Sequence, residues 1–524
     1  MPARFFRKFV RYTFTGVALT AVGATSFLGY KVYKESHPVN QVPQSPTFPS
    51  GEKKKSLVIL GSGWGAISLL KNLDTTLYNV VLVSPRNYFL FTPLLPSVPT
   101  GTIDMRSIIE PVRAVTSRCP GEVVYLEAEA IDVDPKKNIL KVQQSTTVHS
   151  GHTGQSTSSA STSISQEHGL DIITTEVKYD YLVVAIGAQP STFGIPGVAE
   201  NSIFVKEVHD SVKIKKKLID LIEAANLLPE KDPERLRLLH VIVCGGGPTG
   251  VETAGEIQDY IDQDLKKWMP HIAKDMKVTL VESQPVVLHT FSPKLVDFTN
   301  HIFKDTNINL VTNSRIVLVD NSYASIFNKK DKTTKPMPYG MLIWATGNST
   351  RHFTLCLIDK IPEQINKRGF LVDDRLRLQG APNIFALGDC SITKYPATAQ
   401  VAFQQGCYLA QYFDKLQKVE SLRYKLQHEE QPPSDFSLKR LQKLERTLPQ
   451  FVYNYRGSLA YIGSEKAVAD VAVGSWSNVA SGGNLTYLFW RSAYVMMCLS
   501  IKNQILVCFD WVKVYFFGRD CSRE

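Results

Sequence analysis

Along this chain, apolar residues gather in short runs that glycine closes and that then give way to helical spacing. Leu57-Val58-Ile59-Leu60 is one such run, followed by Gly61-Ser62-Gly63-Trp64-Gly65-Ala66 and by Ile67, Leu69 and Leu70 at offsets that suit a helix. The pattern predicts a strand, a tight turn and a helix. His240-Val241-Ile242-Val243-Cys244 opens a second unit of the same kind, continued by Gly245-Gly246-Gly247-Pro248-Thr249-Gly250-Val251-Glu252. Further apolar runs predict strands at Asn79 to Val83, Tyr179 to Gly187, Val278 to Val281, Gly340 to Gly347 and Pro382 to Leu387. Near the end, Leu485, Leu488, Phe489, Ser492, Val495, Met496 and Leu499 recur at helical offsets, as do Ile505, Phe509, Val512 and Phe516. These predict two amphipathic helices, because Arg491, Lys502, Asp510 and Lys513 are too closely spaced for a bilayer span.

In each glycine-rich unit the residue types answer a stereochemical demand. Gly61 permits the turn, Gly63 lets the backbone approach a pyrophosphate, and small Ala66 allows close helix–strand packing, while the helix start offers amide donors to phosphate. The strand after this helix ends at Ser84, where a carboxylate would contact a ribose, and this points away from ordinary NAD binding and toward a flavin dinucleotide. Arg86 is expected either at the phosphates or in a salt bridge. The second unit carries Gly245, Gly247 and Gly250 at the complete three-glycine spacing. Its next strand ends at Glu282, a carboxylate suited to the adenosine ribose of NADH and repelled by a 2′-phosphate. Glu282 lies farther from Gly245 than the usual separation of about 20 residues, so the intervening helix is expected to extend through Gln258 to Lys274. Asp389, after Gly388, is suited to accept hydroxyl hydrogen bonds from a flavin ribitol, and the small residues of Pro396 to Gly406 let a helix approach a flat cofactor. The fold class these features predict is α/β, with two Rossmann-like dinucleotide-binding domains and C-terminal amphipathic membrane-binding helices.

The sequence resembles the fungal mitochondrial type II NADH:ubiquinone oxidoreductases, which are single-chain and do not pump protons. The resemblance rests on Gly61 to Ser68, the Ser84-Pro85-Arg86 segment continuing to Pro96, Gly245 to Glu252, Trp344-Ala345-Thr346-Gly347-Asn348 and Ala399 to Ala402, within roughly residues 55–520. It accounts for Ser84, since the family carries the same Ser-Pro-Arg segment. It implies non-covalent FAD at Gly61, Gly63, Ala66, Arg86, Gly388 and Asp389. NADH is implied at Gly245, Gly247, Gly250, Glu252, Glu282 and Gly347. Gln400, Gln404 and Gln405 are implied at the flavin and quinone pocket. Hydride passes from NADH to flavin and two electrons go on to ubiquinone, so no acid, base or nucleophile of the protein is required as a catalytic group. Cys244 and Cys390 form no CxxC pair and read as buried small side chains, which disfavours a disulfide reductase. Reduction of another soluble acceptor and a non-enzymatic nucleotide sensor are the alternatives.

Composition adds location rather than chemistry. The 524 residues carry 59 Lys and Arg against 49 Asp and Glu, a net charge of +10, with 44% hydrophobic residues, enough for several cored domains. Arg4, Arg7, Lys8, Arg11, Lys31 and Lys34 lie within residues 1–34 with no acid, so more than half of the excess charge sits at one end and nucleic acid is not an expected partner. No cysteine or histidine spacing suits a metal, and no calcium loop is present. Tyr12 to Tyr30 is uncharged and close to the length of a bilayer span, and the Pro-rich tract His37 to Ser50 reads as a linker. The expected organisation is a targeting region and transmembrane anchor at 1–34 and a linker at 35–54. An FAD-binding domain follows at 55–200 and 350–430 with a flexible insertion at 145–169, an NADH-binding domain at 201–349, and a membrane-attachment and dimerisation region at 431–524. The expected setting is the mitochondrial inner membrane, on its intermembrane-space face, as a homodimer bound to phospholipid.

Overall fold

The computed structural model describes residues 26, 29–37, 39–145, 173–428, 434–471, 479–520 and 522. Most of the Tyr12 to Tyr30 segment and of the 145–169 insertion lies outside the described residues.

The chain opens its first sheet with β1 (Ser56–Leu60), crosses through helix α1 (Trp64–Asn72) to β2 (Asn79–Val83), and adds β3 (Val123–Leu126) and β4 (Tyr181–Val184). A second sheet follows, from β5 (Ile203–Phe204), helix α2 (Val208–Asn226), β6 (His240–Cys244), helix α3 (Pro248–Tyr260), β7 (Lys277–Val281), β8 (Asn309–Val311) and β9 (Met341–Trp344). The chain then returns to the first sheet with β10 (Arg377–Leu378) and β11 (Ala381–Ala386). The first sheet has the order β10-β11-β4-β1-β2-β3 and the second β5-β9-β6-β7-β8. β1 lies parallel between β2 and β4, and β6 lies parallel between β7 and β9. Helical crossovers leave such strands covered on both faces, and this is why they read as continuous apolar runs. Leu57 to Leu60 and Val241 to Cys244 are all buried. Each central strand is also the point where strand order reverses, so a crevice opens beyond its carboxyl end. Both glycine turns occupy that position.

Helix α4 (Ala399–His428) crosses α1 at very short range. A Cβ on Gly406 would stand 2.4 Å from the carbonyl oxygen of Gly65, so the crossing requires glycine there. Ser68 Oγ also donates to Phe403 O across the contact at 2.7 Å. Beyond α3 the helix continues through a π-type turn, Ile261–Leu265, then Lys266–Trp268 and Pro270–Ala273, which accounts for the long approach to Glu282.

Three strands that local periodicity did not single out, β12 (Ser458–Tyr461), β13 (Ala467–Val471) and β14 (Val479–Gly483), form an antiparallel sheet. Helices α5 (Asn484–Met497) and α6 (Ile501–Phe517) follow, where sequence spacing predicted them. Among the described residues, no helix is long and apolar enough to cross a membrane. The outward face of α6 is apolar, while its inner face buries Asn503 and Asp510 together with Ile501, Val507 and Trp511. Asn503 Nδ2 donates to Ser107 O and Ile109 O at 2.9 and 3.0 Å, and Asp510 accepts from the Asp104 amide at 3.0 Å. Buried Glu110 pairs with Lys502 at 2.8 Å and Arg118 at 2.7 Å. Ile505, Phe509, Val512, Tyr515 and Phe516 project outward, beside Leu485, Leu488, Phe489 and Met496 of α5. Glu35 accepts from the Ile501 amide at 2.7 Å and so joins the N-terminal helix to the start of α6.

Candidate functional site

The glycines of the two turns fall into two physical classes. Gly61 has φ +106° and Gly245 φ +120°, and Cβ atoms there would meet Ala185 O at 2.5 Å and Ala345 O at 2.7 Å. The fold itself excludes a side chain at those positions. Gly63 and Gly247 differ: their φ values are −85° and −75°, and an added Cβ would meet no heavy atom within 4 Å. Nothing in the chain demands glycine at either. Both are N-caps without a side-chain cap, at the starts of α1 and α3, where amides point outward and favour an anion. Two helix starts kept open in this way fit two dinucleotide pyrophosphates. Gly250 and Ala66 serve packing: a Cβ on Gly250 would lie 1.9 Å from Gly245 O, and Ala66 is buried.

The acid at the end of β7 is well set for a ribose. The Glu282 carboxylate accepts from the Gly246 amide beside the second turn, and from Gln284 N at 2.6 Å. In the first unit, Ser84 is buried and donates to Ser62 Oγ at 3.0 Å and Arg86 O at 2.9 Å. Its hydroxyl therefore ties the strand end to the glycine turn. The Arg86 guanidinium lies 2.8 Å from Glu207 and over the Tyr88 ring, the salt-bridge arrangement that is one of its two expected roles.

Gly388, at φ +73°, turns the chain at Asp389. Its amide donates to Gln405 Oε1 at 2.7 Å, so buried Gln405 braces this turn from behind. Asp389 faces Lys206, with Nζ–Oδ2 at 3.8 Å. A cavity of about 200 Å³ beside them is lined by Lys206, Thr249, Trp344, Thr346, Gly347 and Asn348, among others. Sequence reasoning missed Lys206, which belongs to no motif.

Three side chains of the expected sites are engaged by partners within the chain itself. Gln400 and Gln404 do not face a pocket with free amides: Gln400 Oε1 accepts from Arg456 N at 3.0 Å, and Gln404 exchanges bonds with Asn454 N and O at 2.9 and 2.8 Å. They clasp the start of α4 to the approach of β12. Glu252 leaves the second turn entirely, buried with its carboxylate accepting from Tyr461 N at 3.1 Å. The cause is helical phase, since Glu252 lies on the face of α3 that packs against the C-terminal sheet.

Glu252 heads a row of buried acids on that face. Glu256 accepts from Ser97 at 2.7 Å and Thr102 at 2.6 Å, and Asp259 accepts from Tyr461 OH and from Ser464 N at 2.8 Å. Burial pushes Glu252 up to about 8 and Asp259 to about 7. Farther along, buried Arg519 pairs with Asp264 at 2.7 Å and donates to Thr102 and Gln263, both at 2.9 Å. The spacing Glu252, Glu256, Asp259 on an otherwise apolar helix is the sequence signal that would have found the row. Aromatic rings continue from the first turn past this row. Centroid distances are 5.5 Å for Trp64–Phe91, 6.2 Å for Phe91–Tyr494, 4.6 Å for Tyr494–Trp490 and 6.2 Å for Trp490–Trp511 on α6. Cys244 and Cys390 are buried, and burial pushes the Cys390 thiol up to about 12, leaving it an unreactive neutral group.

Comparison with known proteins gives matches over nearly the whole chain. The sequence pattern of the pyridine nucleotide-disulphide oxidoreductase family matches residues 55–406, and that of the NDH2 C-terminal domain matches 455–520. The chain is 48% identical to the external NADH-ubiquinone oxidoreductase 2 of Saccharomyces cerevisiae mitochondria, covering 96% of this chain and 88% of that protein. It is 46% identical to the external alternative NADH-ubiquinone oxidoreductase of Yarrowia lipolytica, over 99% of this chain and 88% of the other. Among solved structures, NDH2 of Plasmodium falciparum in complex with NADH superposes with a TM-score of 0.75 at 28% identity, covering 90% of this chain and 100% of that one.

Proposed function

This chain belongs to the pyridine nucleotide-disulphide oxidoreductase family and, within it, to the mitochondrial NADH–ubiquinone oxidoreductases of the NDH2 type, and on that footing we propose how its residues divide the work. It oxidises NADH and reduces ubiquinone through FAD, in the mitochondrion. When bound, FAD would supply the redox chemistry that links hydride acceptance from NADH to quinone reduction.

The chain's own part is to bind, orient and separate the reactants. Gly61, Gly63, Ala66, Gly388 and Asp389 form the FAD cradle, with Gln405 holding the Gly388 turn. Gly245, Gly247, Gly250, Glu282 and Gly347 form the NADH cradle, and the Glu282 carboxylate selects a free 2′-hydroxyl. The observation that carries the assignment is the openness of Gly63 and Gly247, where the absent side chain leaves space that only a ligand uses. Quinone reaches the flavin from the side of the C-terminal helices, where the packed rings from Trp511 to Trp64, with Glu252 beside them, and the Gln400 and Gln404 clasps form the wall. The outward apolar face of α6 supports attachment to a phospholipid surface, since it has no protein partner among the described residues. The catalytic body faces the intermembrane space, and the protein acts as a homodimer; the external relatives and the basic, uncharged-then-folded order of the N-terminal region support the first of these.

Anaerobic addition of NADH to the purified flavoprotein, then of a short-chain ubiquinone, tests the sequence of events. Bleaching of flavin absorbance and its recovery are expected. Bleaching without recovery by any quinone would refute the acceptor assignment. Protease accessibility in mitochondria with only the outer membrane opened tests the face, and sedimentation in detergent tests the dimer.

A further inference from the structure

A lysine stands where the two cradles meet. Among the described residues, Lys206 is the only charged side chain lining the cavity beside Gly347 and Thr249. Its ammonium lies 3.8 Å from Asp389 of the first unit and donates to Asn348 Oδ1 of the second at 3.3 Å. The backbone is fixed at this point: the amides of Lys206 and Glu207 both donate to Asp210 Oδ2, at 3.0 and 2.9 Å, within the capping box of α2. Glu207 is in turn held by Arg86 of the first unit. The side chain keeps 32% of its surface accessible, so its base is fixed while its charged end stays within reach of a ligand.

Hydride transfer gives this charge a definite task. A neutral dihydronicotinamide becomes a cation, and the flavin that accepts the hydride gains a negative charge. A fixed positive charge assists only when it stands closer to the flavin than to the nicotinamide. The ammonium is shared between the Asp389 carboxylate of the FAD cradle at 3.8 Å and Asn348 of the NADH cradle at 3.3 Å, so it stands at the seam, within reach of the flavin side.

We propose that Lys206 is a cofactor-contacting residue that stabilises the negative charge of reduced flavin and so draws hydride out of NADH. The inference rests on the assignment of Asp389 to the FAD cradle. The hydride carries two electrons and one proton from the nicotinamide carbon to the flavin, and Lys206 neither gains nor loses a proton in the step.

The experiment compares the FAD-loaded full chain with Lys206→Met, Lys206→Gln and Lys206→Arg. The flavin midpoint potential is measured by dye-mediated titration without NADH, and anaerobic reduction by NADH is followed by stopped flow. Met and Gln are expected to lower the potential and to slow reduction at saturating NADH at least tenfold, a change of about 1.4 kcal/mol in barrier, with flavin content unchanged. Arg is expected to restore most of both. An unchanged potential overturns the proposal, including the case in which only the apparent NADH affinity shifts, because the cation would then serve nicotinamide binding alone. Failure of the unaltered chain to hold FAD would instead remove the cradle assignment on which the inference stands.

Discussion

Replacing Gly63 by alanine separates what the fold needs from what the ligand needs. At φ −85° alanine is unstrained, and its methyl group would touch no heavy atom within 4 Å. Loss of unfolded-state entropy favours the substitution by about 0.4–1 kcal/mol, offset by roughly 0.5–1 kcal/mol for a poorer N-cap, so apo-protein stability should change by less than about 1 kcal/mol. Flavin binding should respond very differently. The methyl group occupies the approach of a pyrophosphate to the helix start and lengthens one or two charge-assisted amide bonds, each of about 1.5–3 kcal/mol. The expected loss is about 2–4 kcal/mol, or roughly 30- to 1000-fold in FAD affinity. Urea unfolding of flavin-stripped protein and fluorescence titration with FAD measure the two quantities. Gly61→Ala is the control, because φ +106° and a 2.5 Å contact with Ala185 O require it to destabilise the apo-fold. Gly247→Ala should keep FAD and lose NADH by a similar factor. Equal FAD affinity in Gly63→Ala and wild type would refute the reasoning, as would an apo-fold destabilised as severely as Gly61→Ala.

Other consequences can be measured directly. Glu282→Gln should weaken NADH binding and narrow its preference over NADPH at least tenfold; an unchanged ratio would remove this carboxylate from selectivity. Glu252 holds its proton up to about 8 in the folded protein, well above an ordinary carboxyl. Between the ordinary carboxyl range and about 8 the native state binds more protons than the unfolded state, so this group's contribution to stability is full at low pH and is lost as pH rises through that window. Glu252→Gln should flatten the fall in urea midpoint between pH 5.5 and 8, and a slope equal to wild type would contradict the burial argument. Phe509 and Phe516 are 62% and 70% exposed, so Phe509→Glu with Phe516→Glu should leave the melting temperature nearly unchanged and abolish binding to anionic liposomes. Retained binding would move the lipid contact elsewhere.

The parts of the fold legible in the sequence are those encoded within a few residues. Leu57 to Ala66 and His240 to Gly250 announce their strands and turns through apolar runs and glycine spacing, and the last two helices announce themselves by period. Partnership across the chain is not written locally. Whether Arg86 met a phosphate or a carboxylate depended on Glu207 arriving at the end of a different sheet's first strand. Glu252 looked like part of the glycine motif, yet its direction was set by which face of α3 the C-terminal sheet covers. Gln400, Gln404 and Gln405 illustrate the same limit, because helical phase sends the first two to Arg456 and Asn454 and the third to Gly388. Lys206 carried no signal at all, being a lone lysine whose meaning comes from Asp389 and Asn348.

The seat of Arg519 bears on how the chain matures. Its partner Asp264 is made 255 positions earlier, which at about 5–20 residues per second is roughly 13–50 s of translation. For that interval Asp264 has no arginine to receive it, and the segment cannot settle into its final packing. A polypeptide that must pass through narrow import channels before it folds gains from such a delay, since closure waits for the residues just past α6 to emerge.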